Sequence, residues 1–171
     1  MRLVLCFFIC ISRHENYYIE DILLIFTMVY TLKTQINDSD VNAFLNSIED
    51  LQKKEDSFIL LDMFSKISGE KPKMWWTSII GFWLYSYVSK SRCVGDWMRT
   101  GFAPRKAGLS IYIMPWYDMG MEWLLEKLWK YKMWKSCLTI KKLSDIDLKV
   151  LEKIIKKGFD IMDEKYPKSS L

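Results

Sequence analysis

The sequence predicts an α+β domain: an antiparallel β-sheet of about four to five strands with N- and C-terminal helices packed on one face. Three observations carry that expectation. Apolar residues recur at helical spacing near both ends, between Asn37 and Gly69 and again after Ser144. The centre, residues 74–114, changes to alternating runs of β-branched and aromatic residues. Short connections with turn chemistry join those runs, which forces neighbouring strands to be antiparallel.

Taken in order, the chain opens on a segment unlike the rest. Residues 1–27 read as a hydrophobic N-terminal extension and residues 28–171 as the domain. The apolar runs "MRLVLCFFICI" and "ILLIFTMVYTL" fall short of the roughly 20 residues a membrane-spanning helix needs. No small-residue cleavage site follows the first. An appendage upstream of Met28 is expected, with a membrane-associating extension as the alternative. Globular patterning then begins. In "NDSDVNAFLNSIEDL" the candidate N-caps are Asn37, Asp38 and Ser39, and Val41, Phe44, Leu45 and Ile48 form one stripe. "KKEDSFILLDMFSKISG" continues as a second helix with the stripe Phe58, Leu61, Phe64 and Ile67. Gly69 is its expected stop, and Pro72 confirms the break.

Strands are expected at "SIIGFWLYSYVS", "DWMRTGFA" and "LSIYIM", the last two hinged on "PRKAG". Leu109, Ile111 and Ile113 alternate with Ser110, Tyr112 and Met114, so one face goes to the core. A helix follows at "MEWLLEKLWKY" and a strand at "SCLTIKK". The last helix is expected to start on a capping box of Ser144 and Asp147, burying Leu148, Leu151, Ile155 and Met162.

At 171 residues the chain suits one domain, and 50% hydrophobic with 27% charged residues is globular composition. The net charge of +4 is mild, and nucleic-acid binders concentrate more charge on one face, so nucleic acid is not the expected partner. Cys6, Cys10, Cys93 and Cys137 form no CxxC pair, and His14 is the single histidine. A structural zinc site is therefore not expected, and unpaired cysteine fits a reducing, cytoplasmic location. Cys137 reads as a small buried strand residue rather than a reactive thiol.

The ordered set "MW.TSI.GF", "GDW...GFAPRK", "LSIYIMP" and "KYK..KSCLTIKKL.D.D" resembles the YdhG-like domain family. These are small bacterial intracellular proteins, mostly of unknown function, and one branch includes a frataxin-like intracellular iron chaperone. The likeness runs from about Lys33 to about Tyr166 and implies helices packed on an antiparallel sheet. It also implies glycine where Trp76, Trp83, Trp116, Trp129 and Trp134 stand, and a glycine-arginine-acid run at Arg92, Cys93 and Val94. Glycine serves turns that need positive φ, where a bulky residue is strained. Glycine and tryptophan codons can differ by one base, which leaves decay of the gene and a decoding effect both open as routes to such exchanges, and glycine at Trp116 and Trp134 should raise the thermal midpoint.

Three chemistries compete. The family branch suggests iron held by carboxylates, for which Glu49, Asp56, Glu55 and Asp62 are the metal candidates: each pair is seven residues apart and could share a helical face. A solvated acidic face is the plainer reading. Anion or nucleic-acid binding is the second, through Arg99, Arg105 and Lys106 at the hairpin and Lys130, Lys132, Lys135, Lys141 and Lys142 further on, interleaved with Trp97, Phe102, Tyr112 and Tyr131 that could stack bases. Basic residues on edge strands also guard against aggregation. Enzyme catalysis is third, because no histidine base accompanies a serine or cysteine in the domain. The reading is a non-enzymatic module for a small ligand or protein partner, without a cofactor. Its ligand-binding residues are expected at Asp96, Trp97, Arg99, Arg105 and Lys106, with iron binding as the alternative.

Overall fold

The computed structural model describes residues 34–89, 94–114, 120–134 and 137–167, all within the unit Leu32–Leu171. The expected extension, residues 1–27, lies outside them, as do Arg92, Cys93, Trp116, Lys135 and the side chain of Trp134. A short strand, β1 (Ile36–Asn37), leads into α1 (Val41–Asn46) and α2 (Leu51–Ser68). Four strands follow: β2 (Lys73–Trp75), β3 (Ile79–Val88), β4 (Val94–Arg105) and β5 (Gly108–Ile113). Then come α3 (Glu122–Leu128), β6 (Tyr131–Trp134), β7 (Cys137–Ile140), a 3-10 turn at Leu143–Asp145, and α4 (Leu148–Lys165).

The strands make one open sheet in the order β1-β2-β3-β4-β5-β7-β6, antiparallel at every pairing. The α+β class is as expected, with seven strands in place of four to five and four α-helices among the described residues. The extra strands β1, β2 and β6 are two, three and four residues long. Runs that short carry no readable period and become strands only by pairing with a neighbour.

Local chemistry sets most boundaries. Asp40, rather than Asn37, Asp38 or Ser39, caps α1 by accepting from the amides of Asn42 at 2.7 Å and Ala43 at 3.2 Å. Asp147 caps α4 in the same way, accepting from Lys149 at 2.8 Å and Val150 at 3.2 Å. The expected capping box at Ser144 is therefore displaced, and Ser144 sits in the 3-10 turn. In both cases the aspartate immediately before the helix reaches the free first-turn amides that earlier residues cannot. Gly69 ends α2 with φ 66°, as expected. α3 stops at Leu128 instead of running on to Tyr131, because the backbone turns at Trp129 to φ 73° and Tyr131 opens β6.

Packing then differentiates the faces. Phe64 of α2 stacks between Phe82 of β3 and Phe102 of β4, with ring centroids 5.5 and 5.6 Å apart. Such aromatic pairs add about 0.5–1.5 kcal/mol each beyond burial. The stripe of α2 is rotated from the one expected: Leu60 and Phe64 are buried, while Phe58, Leu61 and Ile67 are only partly so. Leu148 of α4 is likewise exposed, and Val150, Leu151, Ile154 and Ile155 carry the buried side. These helix residues share a cluster with Ile80, Phe82, Leu109, Ile111, Leu138 and Ile140 of the sheet. A second cluster consists of strand residues alone, Trp75, Ile79, Met98 and Ala103, with Leu84, Trp97 and Tyr112 packed against it.

The β4–β5 hairpin turns on Lys106 and Ala107, since Arg105 faces Gly108. Gly108 has φ 145°, and a Cβ there would stand 2.4 Å from the carbonyl oxygen of Ile140, so only glycine fits. Three tryptophans also have positive φ: Trp76 at 52°, Trp83 at 59° and Trp129 at 73°. All three stand at positions where the resemblance implies glycine.

Candidate functional site

The five hairpin residues expected to bind ligand do not converge. Asp96 and Arg105 lie nine residues apart on the extended β4, a span of roughly 30 Å. Asp96 is exposed and accepts from the Ser86 hydroxyl at 2.6 Å, its cross-strand partner on β3. It braces the pairing. Trp97 tilts against Trp75, with centroids 5.6 Å apart, as part of the second cluster. Arg105 donates to Ser78 Oγ at 2.8 Å and to the Tyr112 hydroxyl at 3.4 Å, and Lys106 is exposed at the turn.

Arg99 departs furthest from a ligand-binding role. It is 1% exposed. Its guanidinium pairs with Asp163 of α4 at 2.6 Å, donates to the backbone oxygen of Tyr166, and lies 4.6 Å from the centroid of Trp83. Nε alone has no partner. The alternating charge in "DWMR" gives no sign of this, because the partners lie more than sixty residues further along the chain.

The carboxylates named for iron separate as well. Glu49 precedes the Asp50 cap and lies outside any helix, so it and Asp56 do not share a helical face. Asp56 is 3% exposed, and its two oxygens accept from the Leu143 amide at 3.0 Å and the Gln52 side chain at 3.0 Å. A carboxylate so enclosed is a structural acceptor. Asp62 pairs with Lys66 at 2.5 Å on the exposed side of α2, and Glu55 is exposed on the same helix. Among the described residues no three His, Cys, Asp or Glu side chains come together to hold a metal ion.

Cys137 lies on β7, as its strand context suggests, but is half-buried rather than buried. Burial pushes its thiol pKa up, against the opposing charge of Arg105. The protonated thiol is a poor nucleophile.

A different group does converge. β6 and β7 pair with Lys132 opposite Thr139. Lys130 precedes β6 by one residue and Lys141 follows β7 by one, which continues the same register. Alternation puts Lys130, Lys132, Thr139 and Lys141 on one side of the hairpin, while Leu138 and Ile140 enter the core from the other. Together with Tyr131, Ala107 and Asp145 they line a cavity of about 540 Å³. Asp145 stands 4.0 Å from Lys130, and the three lysines outnumber this single carboxylate. The ammonium groups supply donors and charge and Thr139 a hydroxyl, while Tyr131, opposite Ile140, packs against the core. Lys130, Lys132, Lys141 and Tyr131 were legible as a basic, aromatic stretch. Thr139, Ala107 and Asp145 enter only through strand pairing and chain return.

Comparison with protein families, with curated proteins and with solved structures finds nothing that matches this chain. Among the described residues no helix is long and apolar enough to cross a membrane.

Proposed function

We propose that this protein is a non-enzymatic binding module that takes a small phosphate-bearing anion in the β6–β7 cavity. One observation supports the reading above all: three lysines and a threonine line the same 540 Å³ space. A volume in that range accommodates a small ligand, and such sites combine apolar walls with a few converging polar groups. Phosphate fits better than a carboxylate because it offers more acceptor oxygens to separated ammonium donors. The same proposal carries kinship to the YdhG-like family, with the helices laid on one face of the sheet. In that arrangement the core is complete without the three lysines of the cavity, of which Lys130 alone has a carboxylate, Asp145, within 4.0 Å among the described residues.

The test is calorimetric titration of the full chain with inorganic phosphate, pyrophosphate and a nucleoside diphosphate. Neutralising each lysine, as in Lys130→Gln, Lys132→Gln and Lys141→Gln, should weaken binding several-fold. The triple variant should lose at least tenfold, and affinity should fall with added salt because exposed charges are screened. No binding by the parent chain, or equal binding by the triple variant, rules the site out. Ferrous iron titrated anaerobically into the same protein addresses the alternative family activity.

A further inference from the structure

Among the described residues the backbone enters positive φ at six positions: Gly69, Gly108, Gly120, Trp76, Trp83 and Trp129. No third residue type occurs there. This pattern is chemically odd, because asparagine and aspartate are the usual non-glycine occupants of that region and a bulky side chain is the least suited. Three unrelated settings are involved. Trp76 lies in the turn between β2 and β3, Trp83 within β3, and Trp129 just after α3.

At two of the three positions packing does not account for the choice of tryptophan. Trp76 is 51% exposed and Trp129 77% exposed, so each leaves a large apolar surface in water. The turns are held by main-chain atoms instead. The Trp76 amide donates to the Gln35 oxygen at 2.8 Å, and its carbonyl accepts from the Asn37 side chain at 2.6 Å. The Trp129 carbonyl accepts from the Tyr131 amide at 3.2 Å. Around Trp83, Phe82 pairs with Thr100 and Leu84 with Met98, so the register runs on through it. Trp75 and Trp97 behave differently: they pack in the second cluster and are absent from the positive-φ set. The chain therefore holds tryptophans that fill a core and tryptophans that sit on glycine backbone.

We propose that positions 76, 83 and 129 are glycine in the protein as its own cell makes it, the codon there being one that its ribosome reads as glycine rather than tryptophan. Gradual mutation of glycine codons does not explain the pattern. Single-base changes from glycine also reach alanine, serine, arginine, valine, aspartate, glutamate and cysteine, and none of these stands at positive φ among the described residues. A decoding difference exchanges one residue for one other at every affected codon, which is the pattern observed.

Two measurements decide the matter. Peptide mass spectrometry of the protein isolated from its source cells should read glycine at 76, 83 and 129, with tryptophan retained at 75 and 97. Separately, the chain with tryptophan at all positions should gain thermal stability from Trp76→Gly and Trp129→Gly, each raising Tm by roughly 2–4 °C. Trp83→Gly should gain less, because it surrenders the contact with Arg99. Trp75→Gly, which empties a core position, should lower Tm. Tryptophan found at any of the three positions in the natural protein, or a triple variant no more stable than its parent, overturns the proposal.

Discussion

Asp56 joins two distant parts of the chain through a single carboxylate: from α2 it accepts the amide of Leu143, 87 residues later. Burial makes that acceptor matter, since a buried amide without a partner costs about 1–3 kcal/mol. Asp56→Ala should therefore destabilise the fold by about that amount in denaturant unfolding. Asp56→Asn, which keeps an acceptor oxygen, should lose less. Asp62→Ala provides the contrast, because its pairing with Lys66 is solvent-exposed and should contribute no more than about 1 kcal/mol. Equal losses at the two sites would contradict a structural role for Asp56. A helical acidic pattern shows which residues share a face. It does not show which one the returning chain will cover, and that is why Asp56 reads like its exposed neighbours in the sequence.

Among the elements, α4 depends on β4 at its C-terminal end through Arg99. The fork of the guanidinium serves Asp163 and the Tyr166 carbonyl together, with Trp83 over its face. Removing it exposes no isolated buried charge, because Asp163 is half-exposed and can hydrate. Arg99→Ala should cost about 1–3 kcal/mol from lost bonds and packing, and should speed amide exchange in the last turn of α4. Arg99→Lys should recover only part, since a lysine cannot reproduce the planar fork. Unchanged exchange near Tyr166 in the alanine variant would show that α4 is held by other contacts. The β4–β5 hairpin is the element whose outline was plainest beforehand, because alternation and a glycine-bounded turn are local signals. The environment of each residue on it is not a local property. Identical strand patterning surrounds an exposed Asp96, a buried Arg99 and a core-packed Trp97, and only the neighbours across the sheet distinguish them.

For the whole molecule, the two clusters divide the sheet between a part shared with helices and a part made by strands alone. Tyr85 stands on β3, with Tyr166 beyond α4 at 4.5 Å and Tyr87 at 6.0 Å. Burial pushes its phenol up to about 12, helped by Tyr166 and Tyr87. In the unfolded chain a tyrosine ionises near pH 10, at about its reference value. The folded state thus holds the proton more tightly. The resulting stability is complete below about pH 10 and is lost as pH rises towards about 12. Urea unfolding of the parent and Tyr85→Phe at pH 9 and pH 11 should show a shallower decline for the variant. Parallel declines would mean that Tyr85 is not responsible.

Composition and periodicity determined the α+β class, the long helices, the central hairpin and the stop at Gly69, because each rests on interactions spanning a few residues. Tertiary structure decided the short strands β1, β2 and β6, the rotated face of α2, the burial of Asp56 and Arg99, and the convergence of Lys130, Lys132, Thr139 and Lys141. Those features depend on backbone pairing and desolvation between distant segments. A residue's own type cannot specify whether a partner many positions away will arrive to exclude water from it.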